Sequence, residues 1–194
     1  MKGEKVVIET PDKANACYCA GLSLAMSDDH SDYAALTVGN YVFGGGPLAS
    51  RLADRVRRKD GLSYGTGSFL RANPIDQSGF FAMIAIANPK NVEKVDAAIA
   101  EEMERFVKEG ATAKEVEEAR KAYLAAAKNQ RSSDGALATL LVGQLYAGRT
   151  SAHLAELEKK ISEATAEQVN DAFRRHVEPK RLVIVEAGDF NKKK

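Results

Sequence analysis

The segment from Phe43 to Tyr64, FGGGPLASRLADRVRRKDGLSY, gathers the residue types that could do chemistry. Arg57 carries a planar, permanently charged guanidinium whose N–H fork suits oxygen acceptors. Tyr64 follows seven residues later with a phenolic hydroxyl that can donate or accept. Residue type alone also allows a plainer reading of each. Arg57 sits among Arg51, Arg55, Arg58 and Lys59, a run that could be a solvated helix face. Tyr64 could be a strand aromatic half-buried on a sheet. The triplet Gly44–Gly46 lacks the Lys-Ser/Thr that completes a phosphate-binding loop, so it reads as a helix terminus. Asp54 and Asp60 interrupt the basic run and no RNA-binding motif accompanies it, which argues against nucleic acid.

The other reactive residues are sparse. Cys17 and Cys19 lie two apart in an apolar run and would share one face of a strand. Two such cysteines are poorly placed for a disulfide, and a C-x-C metal site would need further ligands, with no other cysteine in the chain. They read as buried small apolar residues. The histidines are His30, His153 and His176.

The 194 residues, 44% hydrophobic and 28% charged, suit one soluble domain or a large half of a two-lobed protein. A net charge of +1 gives no global attraction to nucleic acid or an anionic membrane. No apolar run is long enough to span a bilayer, and MKGEKVVIET is too polar for a signal peptide. Periplasm and cytoplasm both remain open as compartments. Lys192–Lys194 read as a solvated tail.

The elements that must hold these residues alternate between strand and helix. A short strand is expected over Lys5–Ile8, a turn at Pro11–Asp12, and a longer strand over Ala16–Met26. Ser31 is placed to cap a helix running through Phe43, ended by the glycine triplet because glycine tolerates φ > 0. Leu48, Leu52 and Val56 give the next helix one apolar stripe. Ser63–Leu70 and Gly79–Ala87 read as a hairpin, the second strand apolar on both faces like a covered central strand. A helix over Asn91–Glu109 should stop at Gly110. Thr112 with Glu115, and Thr165 with Gln168, are capping-box signatures for two further helices. Leu137, Leu140, Leu141 and Leu145 mark a helix stopping near Gly148, and Ala152–Ile161 another. Leu182–Val185 is the last strand. This order predicts an α+β fold, with helices stacked on one face of an antiparallel-rich sheet.

Gly44, Gly45, Gly46, Ser50, Arg51, Leu52, Arg57, Gly61, Leu62 and Tyr64 together resemble the zinc-free half-domain of the pitrilysin/insulin-degrading-enzyme/mitochondrial-processing-peptidase family, the inverzincins. Gly110, Thr112, Glu115, Ala119 and Arg120, then Ala164, Thr165 and Val169, resemble its later signatures. The resemblance runs from about residue 6 to residue 189. It implies a single metallohydrolase half-domain of the pitrilysin-like, processing-peptidase type. Catalytic halves carry H-x-x-E-H on the first helix, where two imidazoles bind zinc and the glutamate activates water. Here the first helix reads SDYAALTVGNYVF and offers no ligand. His153–Leu154–Ala155–Glu156 begins like the motif, but Leu157 stands where the second histidine must be. His153 therefore reads as a surface helix residue.

The resemblance thus implies the non-catalytic half, with no catalytic residue, metal or cofactor of its own. Zinc is expected in a partner half, fused or separate, and the two halves would close around a peptide. It assigns Arg57 and Tyr64 to substrate binding across the chamber from the zinc, with Gly65 and Gly67 leaving room for peptide. Two alternatives stand beside it: a structural or interaction module without peptide chemistry, and a peptidase with an unrecognised site. Purified chain dialysed against a zinc buffer is expected to retain almost no zinc by elemental analysis. One zinc per chain would reopen the peptidase alternative, with His153 and Glu156 the first suspects.

Overall fold

Strand β1 (Glu4–Glu9) turns through Asp12, at φ 63°, into β2 (Ala16–Leu24). Helix α1 (Tyr33–Asn40) widens at its end into a π-helical turn over Tyr41–Gly45. A second π-helical segment, Ala53–Lys59, carries the basic run into the hairpin of β3 (Ser63–Ala72) and β4 (Gly79–Ala87). Then come α2 (Val92–Glu109), α3 (Ala113–Gln130), α4 (Asp134–Tyr146), α5 (Ser151–Glu163) and α6 (Ala166–His176). Strand β5 (Val183–Gly188) completes the order. The computed structural model describes residues 3–46 and 50–191, so Leu48 and the terminal lysines lie outside the described residues.

The strands form one sheet in the order β1-β5-β2-β4-β3. β1 and β5 run parallel, and the other neighbours are antiparallel. Along β2, Ala16, Tyr18, Ala20, Leu22 and Leu24 are buried, while the residues between them are half-buried or exposed. Their partners Ala87, Ala85, Met83, Phe81 and Gly79 in β4 continue that face under the helices. The α+β expectation holds, with helices covering one face. The expected second cover over β4 is absent among the described residues: Phe80 and Ile86 stay exposed on the other face. Apolar residues on both faces of this strand therefore do not mean two layers of helices.

Other departures have local causes. β2 ends at Leu24, two residues before the expected Met26. α1 begins after Asp32 rather than Ser31, and Asp32 makes no cap. Its carboxylate instead receives Arg175 and His176. β5 runs on to Gly188 through Glu186, a buried acid at Lys5 Nζ (2.9 Å) that interrupts the apolar pattern. Cys17 and Cys19 share a face as expected, but are half-buried rather than buried, with sulfurs 3.6 Å apart. The glycine triplet has none of the positive φ angles expected of it. A Cβ on Gly44 would lie 2.6 Å from Ser68 Oγ and 2.8 Å from Leu52 Cδ1, and one on Gly45 2.5 Å from Asn40 Nδ2. Close approach, not left-handed backbone, calls for glycine here.

Four buried phenylalanines close the core into a ring. Phe43 lies 5.4 Å from Phe106 and 6.0 Å from Phe81, and Phe173 lies 4.7 Å from Phe106 and 5.7 Å from Phe81. The π-turn after α1, β4, α2 and α6 each contribute one. Edge-on pairs of this kind add to simple area burial. Arg51 lies over Phe106, 4.9 Å from its centroid. Its guanidinium donates to both oxygens of Glu115 (2.8 and 2.9 Å) and to the carbonyl of Gly110 (2.7 Å).

The Arg51 guanidinium holds the Glu115 carboxyl down at about 2, against the opposing effect of burial and with help from Thr112. A carboxyl depressed in the folded state stabilises above its unfolded value, here 4.5, and that stabilisation is lost as pH falls toward 2. Urea unfolding is expected to be weakened by about 3 kcal/mol in Arg51→Ala with the m-value unchanged. Glu115→Gln should flatten the loss of stability between pH 4.5 and 2.

Candidate functional site

The basic segment is fastened from below and free above. Leu52 and Val56 are fully buried, and Ser50 accepts from Asp54 N (2.9 Å) at its start. Arg55 pairs with Glu101 (2.8 Å) and Asp60, and Arg58 with Asp54. With Arg51 on Glu115, three arginines of the run are neutralised within the protein. Arg57 is exposed and has no ion pair or side-chain hydrogen bond among the described residues.

The segment then folds back sharply. Leu62 N donates to Val56 O (2.9 Å), and Gly61 sits at φ +60°, a conformation that disfavours any side chain. Ser63 Oγ lies 2.8 Å from the carbonyl of Ile86 and accepts from Gly65 N (3.1 Å). Register between β3 and β4 slips between Ser63 and Gly65, so Tyr64 is the extra residue of a bulge. Bulges re-aim side chains, and Tyr64 is 68% exposed. Arg57 and Tyr64 therefore flank one tight turn, both facing solvent. A guanidinium and a phenol so displayed can donate hydrogen bonds to an external oxygen. A Cβ on Gly65 would meet nothing within 4 Å. Gly67 has another cause, because a Cβ there would come within 3.3 Å of Gly44 O. A cleft of about 700 Å³ between β1, β5 and the start of α2 has neither Arg57 nor Tyr64 in its lining.

Two groups of side chains distant in sequence meet elsewhere. His30, Asp32 and His176 form one, Asp28, Asp29 and His153 the other. In the first, Arg175 grips Asp32 (2.8 and 3.1 Å), His176 Nε2 lies 2.8 Å from it, and Asp32 N donates to His30 Nδ1 (3.1 Å). In the second, Arg149 pairs with Asp28 and Asp29 and donates to Pro74 O (2.8 Å). The carboxylates in both are engaged by arginines, so these read as clamps between elements. His153, expected at the surface, is half-buried and turned toward Asp29 (3.4 Å). Glu156 pairs with Lys160 (2.8 Å) instead. No local spacing in the sequence signals these groups.

The sequence profile of the peptidase M16 inactive domain matches residues 1–123. The chain belongs to that family. It is 24% identical over 193 residues to the non-peptidase homolog YmxG of Helicobacter pylori, covering 100% of this chain and 43% of that protein. A crystal structure of a peptidase M16 inactive domain from Pseudomonas fluorescens superposes with TM-score 0.85 at 27% identity, over 100% of this chain and 45% of that one. The periplasmic protease PqqL of Escherichia coli shares the fold at TM-score 0.74 and 18% identity, over 96% of this chain and 20% of its own. The chain thus spans less than half the length of these relatives. The family resemblance carried by Gly44–Tyr64 and the later signatures holds, and this M16 inactive domain is not catalytic. No described helix is long and apolar enough to cross a membrane.

Because Arg57 and Tyr64 contribute no ion pair and little burial, their removal should leave the fold intact. Arg57→Ala and Tyr64→Phe are each expected to change unfolding free energy by less than about 0.5 kcal/mol, read by thermal melting.

Proposed function

We propose that this chain is the catalytically silent, substrate-binding half of a zinc metalloendopeptidase. It encloses a peptide against a zinc-bearing partner half, fused or separate. One observation carries the reading: in a run whose other arginines are ion-paired, Arg57 has no such partner among the described residues, and it and Tyr64, on either side of the turn at Gly61, are both exposed. A solvated helix face would not need so built a support. The uncovered sheet face adds to it, because Val6, Ile8, Phe69, Phe80 and Ile86 offer apolar surface to an unfolded chain.

Zinc, held by the partner, supplies the activated water for hydrolysis. Arg57 donates its fork to peptide carbonyls near the scissile bond, holding the backbone in place. The Tyr64 hydroxyl adds a second donor, positioned by the bulge. Peptide-bond hydrolysis develops negative charge on the carbonyl oxygen, and preorganised donors of this kind stabilise it. Nucleic acid and membrane play no part in this reading, and either periplasm or cytoplasm suits it.

A second reading rests on the similarity to a non-peptidase homolog. In it, the chain keeps the fold as an interaction module and Arg57 and Tyr64 carry no peptide chemistry. Peptide cleavage by the complete two-half assembly separates the two. Arg57→Ala and Tyr64→Phe are each expected to lower kcat/KM by about 10²–10³. Unchanged cleavage in both variants would sink the substrate-binding role.

A further inference from the structure

We infer that α4 is the surface on which the zinc-bearing half docks, an inference that rests on the function proposed above. α4 reads DGALATLLVGQLY, with Asp134 as its one charged residue, and none of its 13 residues is buried. Leu141, Val142, Leu145 and Tyr146 are 50%, 65%, 79% and 77% exposed on its outer side. Ala136, Leu137, Leu140 and Gln144, on its inner side, are only half-buried. Among the described residues no other element packs closely along it. A helix with apolar residues on both sides belongs inside a larger body, and the outer side of this one has no cover among the described residues.

The helix is nonetheless held in position. Arg131, just before it, pairs with Glu158 of α5. Arg149, just after it, is nearly enclosed by Asp28, Asp29 and the carbonyl of Pro74. A helix clamped at both ends presents its outer face as a fixed shape, so association need not first order it.

Three observations choose the occupant. More than half the length of these two relatives has no counterpart in this chain, so further polypeptide accompanies this fold there. A lipid surface is disfavoured, because α4 has no basic face to meet headgroups. The anchor of α4 on Pro74 lies beyond the end of β3, whereas Tyr64 lies at its start. Ten residues of strand put roughly 30 Å between them. A partner seated on α4 therefore leaves Arg57 and Tyr64 open to peptide.

The test uses the full chain and the zinc-bearing half of the same protein or genome, the half whose first helix carries H-x-x-E-H. The two are purified as separate chains and their affinity is measured by calorimetry. Leu141→Glu with Leu145→Glu is expected to weaken binding by at least about 100-fold. Circular dichroism and melting temperature should not change, since neither side chain is buried. If wild type binds and the double variant binds equally well, the docking inference is overturned while the function proposed above stands. If wild type does not bind the zinc-bearing half at all, both fall. If sedimentation shows that the variant instead loses self-association, α4 is a contact between copies and the inference is also overturned.

Discussion

The guanidinium of Arg51 is the contact on which the rest of this domain hangs. It takes a charge out of water, which is costly unless every donor direction is answered. Here a two-toothed bond to Glu115, a bond to the Gly110 carbonyl and the face of Phe106 answer it. The nearby Glu102, buried and 3.9 Å away, is shared with Arg105 at 2.5 Å. One side chain thus joins the basic segment, the C-terminal end of α2, the start of α3 and the aromatic ring. Gly110 must lie where it does for its carbonyl to be reached, at φ +78°, with Asn170 pressed against it and bonded to both backbone groups of Ala111. α6 is drawn into the same joint.

Residues of the family pattern divide into two sets by what surrounds them. Gly44, Gly45, Arg51, Leu52, Gly110 and Glu115 are enclosed or ion-paired, Thr112 is hydrogen-bonded to Glu115, and Arg120 donates to the carbonyl of Ala164 (2.9 Å). These build the fold. Arg57 and Tyr64 make no side-chain hydrogen bond or ion pair among the described residues, yet the first set supports their backbone. Leu52 and Val56 seat the helix under Arg57, and Ser63 and the bulge seat the strand under Tyr64. Rigid support beneath two solvent-facing donors is what the proposed peptide-binding role would use.

Signals that reside in a few neighbouring residues are legible in the sequence alone. Both capping boxes form reciprocal bonds, at Thr112–Glu115 and Thr165–Gln168. The hairpin strands and the helix stop at Gly110 follow their turn and period signals. What was not legible is what covers a given surface. The four leucines of α4 announce a helix, and the apolar residues of β4 announce a strand, but neither pattern says whether a second layer exists. Long-range ties were equally silent. Nothing near Asp32 foretells Arg175 and His176, and these turn a capping position into a clamp. The glycine triplet shows the same limit, since glycine serves both positive φ and close approach, and the sequence carries no mark of which.

Both uncovered surfaces are apolar, but they are not alike. The open sheet face is broad and framed by backbone already paired within the sheet, with the Arg57–Tyr64 turn at one end. It offers shallow contact to side chains of varied size, which suits a substrate that must enter and leave. α4 presents a ridge of leucine, valine and tyrosine side chains, tied at both ends, with Asp134 its one charged residue. Ridges of that kind pack into a complementary groove and exclude water over a continuous area, as permanent interfaces do. A domain that gave both surfaces to transient ligands would leave α4 in water for much of its life and favour aggregation. Assigning the ridge to assembly and the sheet face to peptide, as proposed above, removes that conflict.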